Sequence, residues 1–519
     1  MAAVFHGIGN LVAVVDVNGQ QCDGKMPDVT GIENLACKIS AFGAIVKEVD
    51  GHSVKEIEAA IKIPSNGRDA SKPTVVLCYT DPCHGLPLLK KLSPDLHYVR
   101  FKDDNEKRVW AEVLVQMTNG TQDDRHCQGY PEIIIEDEKK AEECTEEAPV
   151  PTKRRLHTME HSGPSKKKAT VVIKEPAVTA CSGRFTEMVT RPHRSRLVEW
   201  VRFHPKAIVL TADLTKSCEA DLLRDELPDQ YMSLGMAEQN MMSFAGGLAR
   251  EGYHPYIHTF AVFVTRRPFD QVAMSIAVPN LPVRLMGFLP GLTTPGGVTH
   301  QAIDDVALMR AIPNMRILEV GDATEVESVL DVAESIDGPV YVRMWRGQVP
   351  RLFPKMSPMI YGVPRLLSDG SEVALVTSGI CTEEALKVTT RMGVSIRHIH
   401  LSTLVPFPAD VIVEAARKTK YGMIVMENHS IIGGVGSAAA EVLAGHGVGR
   451  KLVRLGVPGV YAHGASCGYL MQEYGFDASA LVRAVEALVG RSVSLSFAYL
   501  QVKDSLKNVL SPNERPEDL

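Results

Sequence analysis

The chain has 519 residues, 45% hydrophobic and 23% charged, with a formal net charge of −6 and a pI near 6.3. Those values fit an ordinary globular protein of about three domains and give the folded part no electrostatic footprint for nucleic acid. No apolar run approaches the roughly 18 residues of a membrane span, and the ten cysteines form neither a CxxC pair nor a zinc spacing, a pattern of reduced thiols in a cytosolic or nuclear setting.

After MAAVFHGIGN, with no basic leader and no cleavage pattern, the chain meets a strand almost at once, a beginning that reads as cut. Strand-like runs at 11–17 and 74–79 alternate with helix-like stretches at 31–41 and 54–61, the rhythm of a mostly parallel α/β unit over residues 1–118. Residues 119–184 turn acidic in IIIEDEKKAEECTEE and basic in KRRLHTMEHSGPSKKK, the composition of a flexible linker. Its clusters at 153–155 and 166–168 have the spacing of a bipartite nuclear import signal, although a solvated linker explains them more simply. A second α/β unit occupies 185–350. It has a strand at AIVLTADL and a helix at GMAEQNMMSFAGGLAREG that ends near Gly252. A third covers 351–490, with strands at EVALVTSGI, SIRHIHLST and GMIVMENHS, and 491–519 is a tail. No internal repeat is evident.

The chemistry concentrates in short motifs. Leu234-Gly235-Met236-Ala237-Glu238-Gln239-Asn240 sets a carboxylate at the start of an otherwise apolar helix, where alone it would be a helix-start charge favoured by the dipole. It is followed by Thr259-Phe260-Ala261-Val262-Phe263, Gly296-Gly297-Val298-Thr299-His300-Gln301 and Val340-Tyr341-Val342-Arg343. The third unit carries Glu427-Asn428-His429-Ser430-Ile431-Ile432-Gly433-Gly434 and Ala462-His463-Gly464-Ala465-Ser466. The glycines at 433–436 offer only a weak dinucleotide signal, with no acidic residue at the expected distance.

In order and spacing these motifs resemble the transketolase family, over roughly 300 residues at the C-terminal side. The resemblance implies a pyrimidine-binding domain followed by the family's C-terminal domain. In the first unit, Val15-Asp16-Val17-Asn18-Gly19-Gln20 resembles the second half of the family's diphosphate and metal motif, and His84-Gly85-Leu86-Pro87-Leu88 a stretch whose histidine reaches cofactor and substrate. The implied cofactor is thiamine diphosphate with Mg²⁺ or Ca²⁺, the cation held by the Asn18 side chain and the Gln20 carbonyl, oxygen ligands that suit a hard cation. Glu238 is the implied carboxyl beside the aminopyrimidine, its proton held by burial among Met236, Met241 and Ala245. Phe263 would stack on that ring with Phe260 behind it, and Asp213 would lie near the cofactor. His300 and His84 would serve the donor sugar. Arg191 (or Arg194 or Arg196 in the same run), Ser217 and Arg343 would hold a sugar phosphate.

The resemblance implies transfer of a two-carbon ketol unit between sugar phosphates by a cytoplasmic homodimer whose sites lie at the subunit interface, without nucleic acid or membrane. Departures point the other way. No Gly-Asp-Gly precedes Asn18, the stretch from Val75 to His84 is short, Gly296 stands where the family has an acid, and Phe288 falls where it has a phosphate-binding histidine. They leave open a catalytically silent regulatory relative, or a subunit completed by a partner chain. The run Arg266-Arg267-Pro268-Phe269-Asp270-Gln271 leans slightly toward deoxyxylulose-phosphate synthase.

Overall fold

The computed structural model describes residues 2–5, 7–21, 24–26, 34–62, 71–84, 105, 107–111 and 187–493. The linker, its basic clusters and nearly all of the tail lie outside the described residues. Gly85–Pro87 and Val99–Lys174 form a unit of their own, described only at 105 and 107–111.

Three open α/β sheets organise the other, larger unit. In the first, Thr74–Tyr79 runs between and parallel to Val12–Val17 and Ile45–Asp50. In the second, seven strands lie in the order Thr403–Val405, Arg316–Glu319, Val340–Met344, Arg284–Phe288, His254–Phe260, Ala207–Thr211, Tyr231–Ser233. Only the first of these is antiparallel to its neighbour. The third has the order Arg365–Ser368, Ile396–Leu401, Val373–Ser378, Gly422–Ser430, Leu452–Val457, with only Arg365–Ser368 antiparallel. The fold is the expected α/β, with mostly parallel strands whose central members are buried throughout because helices cover both faces.

One crossing was not expected. The run SIRHIHLST, read as a single strand, breaks at Ser402. Ile396–Leu401 stays in the third sheet, and Thr403–Val405 joins the edge of the second.

The helix Glu238–Arg250 begins and ends where its sequence directs. Gly252, just past its end, has φ +85°, a left-handed conformation that costs glycine nothing. Its inner face buries Met241, Met242, Ala245 and Ala249 beside Val272 and Ile276. Full burial of each Met is worth about 1.5–3 kcal/mol. Between the same sheet and its helices, the Nε2 atoms of His193 and His258 face each other at 2.9 Å, with Phe288 against both rings. Burial holds both histidines below their ordinary pKa, His258 at about 4.

In the third sheet, Glu427 accepts N–H groups from Val435 and Gly436 at 2.7 and 2.9 Å, at the N-terminus of helix Val435–Gly445. That carboxylate occupies the position a dinucleotide phosphate would need, which accounts for the glycines as packing.

Candidate functional site

In an open parallel sheet, ligands bind beyond the carboxyl ends of the strands. The second sheet gathers most of the singled-out residues there. Ala207–Thr211 leads to Asp213, buried and at φ +59°, a left-handed backbone that Asp tolerates better than most residues. His254–Phe260 leads directly into the short buried helix Ala261–Thr265, which carries Phe263. The Phe260 and Phe263 rings lie 5.6 Å apart, and the His300 ring meets them edge-on at 6.1 and 5.3 Å. Arg284–Phe288 ends at Leu289, also left-handed, and opens the loop to His300.

The third unit holds that loop. Asn428 Oδ1 accepts the Leu292 N–H at 2.9 Å, and its Nδ2 donates to the Pro290 carbonyl at 3.3 Å. Gly291, at φ +62°, leaves room for it, since a Cβ there would lie 2.3 Å from the Asn428 side chain. Gln301 Nε2 donates to the His463 carbonyl at 3.1 Å. The two motifs of the third unit thus position the histidine of the second.

Glu238 opens its helix beside this cluster and is 5% exposed. Two of the three neighbours expected to bury it, Met241 and Ala245, are in the core, but Met236 is 65% exposed. Sequence reasoning missed Arg267. Its Nη1 donates to Glu238 Oε1, and its guanidinium carbon lies 3.7 Å from the Phe263 ring centre. A planar cation on an aromatic face is an attractive arrangement.

The expectation for Arg343 is corrected. Its side chain is 1% exposed. Nε donates to Asp305 Oδ2 at 2.8 Å, Nη2 donates to the Asn428 carbonyl at 2.9 Å, and Nη1 pairs with Glu319. Burial opposes its charge, but Asp305 and Glu319 hold it above the ordinary arginine pKa. A guanidinium so committed inside the core cannot anchor a sugar phosphate. Arg346, three residues on, is only half-buried. Its Nη1 donates to the Ser217 carbonyl at 3.1 Å, and its guanidinium lies 5.8 Å from the Phe260 ring centre.

Arg191 belongs to the same corner. It is left-handed at φ +48° and donates to Asp221 Oδ1 at 2.7 Å and to the Lys216 carbonyl at 3.1 Å. Arg194 shares Asp221 at 2.9 Å, whereas Arg196 turns to Asp331. Glu219 accepts the Gly347 N–H at 2.7 Å. Burial lifts its pKa to about 6 against these donors and Arg191. Arg191, Ser217, Glu219 and Arg346 therefore meet in one charged corner, beside the aromatic pair.

The first sheet collects the other motif residues, again at its carboxyl ends. Asn18 Oδ1 accepts the Gln20 N–H at 3.1 Å, and Asn18 Nδ2 donates to Asp16 at 3.3 Å. The His84 ring stacks on His52 at 3.7 Å, and His52 Nε2 accepts the Asp81 N–H at 2.8 Å. His52, at the end of Ile45–Asp50, was another residue missed. Among the described residues no group of three or more His, Cys, Asp or Glu could hold a metal ion. One amide, already engaged, and one carbonyl do not make a divalent site by themselves.

The chain is similar to known proteins over its second and third units. The model for the transketolase pyrimidine-binding domain matches residues 193–351, and that for the transketolase C-terminal domain matches 362–481. A putative uncharacterized transketolase family protein of Sinorhizobium fredii is 34% identical over 287 residues, 54% of this chain and 83% of the relative. A 6-deoxy-6-sulfo-D-fructose transketolase subunit of a Clostridium species is 32% identical over 299 residues, 57% and 92%. A solved split-gene transketolase, described as an inactive β4 tetramer, superposes with a TM-score of 0.52 at 34% identity, covering 58% of this chain and 97% of that one.

Proposed function

This chain belongs to the transketolase family, and on that premise we propose that it carries the pyrimidine half of a thiamine-diphosphate site used to move a two-carbon ketol unit from a ketose phosphate to an aldose phosphate. The observation that carries the reading is the buried Glu238 carboxylate beside the face of Phe263. It fits the cofactor's ring, because a flat, delocalised cation, the Arg267 guanidinium, already lies on that face bonded to that carboxylate.

Thiamine diphosphate, when bound, supplies the carbanion chemistry for breaking and making the carbon–carbon bond. The protein's own part is orientation and proton management. Glu238 holds a proton at the pyrimidine ring nitrogen, Phe263 supports the ring, and Phe260 backs Phe263. Asp213 borders the cofactor from its strained turn. His300 exchanges protons with the donor sugar's hydroxyls, fixed by the Asn428 and Gln301 contacts of its loop. Arg191 and Ser217, with Arg346 in the role first expected of Arg343, bind the sugar's phosphate. His84, stacked on His52, serves the diphosphate side.

Exposed Met236, Phe244, Met274 and Val278 lie on and around the Glu238 helix. They support a subunit interface beside the site, in a homodimer or with a companion chain. The cation set of the first sheet, incomplete among the described residues, favours the companion, as do relatives described as a subunit and as a split-gene product. That set is also what favours the second reading, a silent regulatory subunit.

Calorimetric titration of the purified chain with thiamine diphosphate and Mg²⁺ tests the proposal. Binding at submillimolar concentration is expected, and no heat at millimolar cofactor would retire it. Glu238→Gln should keep binding but lose roughly 10²–10⁴ in ketol transfer. Unchanged transfer would remove Glu238 from the mechanism.

A further inference from the structure

Arg267 does not merely neighbour Glu238. Its guanidinium lies where a ring could touch both that carboxylate and Phe263. Its guanidinium carbon is 3.7 Å from the ring centre, within stacking distance, while Nη1 is spent on Glu238 Oε1. An aminopyrimidine protonated at the ring nitrogen that meets a carboxylate presents the same pattern, a flat cation whose N–H donates to the carboxylate while its face rests on an aromatic ring. The two groups cannot be there together.

The arm is built to hold this position and also to leave it. Its neighbour Arg266 faces away, its side chain bonded to Asp304 at 2.9 and 3.1 Å, and the backbone is tied at both residues, the Arg266 N–H donating to the Val262 carbonyl at 3.2 Å and the Arg267 carbonyl accepting from Gln239 Nε2 at 3.2 Å. The Arg267 side chain is nevertheless 47% exposed, against 6% for Glu238. Withdrawal returns an arginine to water, where it is readily hydrated, and uncovers a carboxylate that needs a new partner. The asymmetry favours replacement by another planar cation over an empty seat.

We propose that Arg267 is an internal mimic of the cofactor's aminopyrimidine, a self-inhibitory side chain that cofactor must displace to bind. The inference rests on the cofactor reading above and adds a competition to it. An ion pair with one exposed partner and a cation–π contact together set its scale, about tenfold in affinity.

The test is calorimetric titration of thiamine diphosphate with Mg²⁺ into the full chain and into Arg267→Ala. The variant should bind about tenfold more tightly. Guanidinium chloride at millimolar, non-denaturing concentration should reverse that gain by refilling the vacated seat, and should leave the wild-type affinity unchanged. Equal or weaker binding by Arg267→Ala, with the wild type binding normally, overturns the mimic and leaves the cofactor site standing, since Arg267 would then be neutral or a cofactor contact. A gain that guanidinium fails to reverse also overturns it. Absence of binding by both proteins overturns the site assignment and the mimic together.

Discussion

Replacing Arg343 with Met separates a residue that holds the core from one that holds a substrate. Arg343 is 1% exposed, and its partners Asp305 and Glu319 are 0% and 3% exposed. Methionine fills a similar length of space but leaves the carboxylates of Asp305 and Glu319 and the Asn428 carbonyl without their cation, with the Tyr341 hydroxyl still donating to Asp305. Removing one partner of a buried ion pair costs about 3–5 kcal/mol, since the remaining charge is uncompensated. At about 2–4 °C per kcal/mol for domains of 150–250 residues, thermal unfolding should fall by several degrees or more. Scanning calorimetry, or urea unfolding followed by circular dichroism, reads this directly. Arg346→Met should do the reverse, with stability nearly unchanged and KM for a sugar phosphate raised. The reasoning is refuted if Arg343→Met melts with the wild type and loses phosphate affinity, because Arg343 would then be the anchor first expected from its motif.

Two further outcomes follow from buried groups. His258 is held at about 4 by burial, below the ordinary histidine value near 6.5. The unfolded chain therefore binds more protons than the folded one between those values. Its stabilising contribution is complete above pH 6.5 and is lost as pH falls toward 4, by about 3 kcal/mol in all. Urea midpoints of wild type and His258→Gln, compared at pH 7.5 and 5, should converge as pH falls. The raised carboxyls Glu219 and Asp322 change in the opposite sense but cancel in this difference, and a constant gap would refute the assignment. Asn428→Ala removes two contacts from the loop that carries His300. Hydrogen exchange at Gly291 and Leu292 should accelerate at a cost of about 1–3 kcal/mol in stability, and unchanged protection would show that the loop is held by other contacts.

Much of this was legible in the sequence because local signals and tertiary needs agree. Val12–Val17 and Thr74–Tyr79 are mostly apolar runs at strand length, Gly422–Ser430 opens on another, and Glu238–Arg250 has its acidic start and its glycine stop. The failures share one physical cause, in that the deciding partner is distant along the chain. Arg343 is the penultimate residue of a strand buried on both faces, so no alternation reveals which way it points. Its acids lie at 305 and 319, and only folding shows that they consume it. Arg346 lies two residues beyond the strand's last residue, with its guanidinium near the Phe260 ring. The break at Ser402 carries no glycine or proline to mark it. Arg267 looks like any surface arginine until Glu238 and Phe263, 29 and four residues away, meet around it.

The strand Thr403–Val405 has a practical implication for anyone dividing this molecule. A fragment ending between the two matched domains, near residue 355, would keep every sequence motif of the pyrimidine-binding half yet lose the outermost rung of its sheet. Arg316–Glu319 would then present bare backbone to solvent, the kind of surface that recruits other chains into aggregates. The natural cutting point in sequence is a poor one in space, and the two halves are better made together than apart.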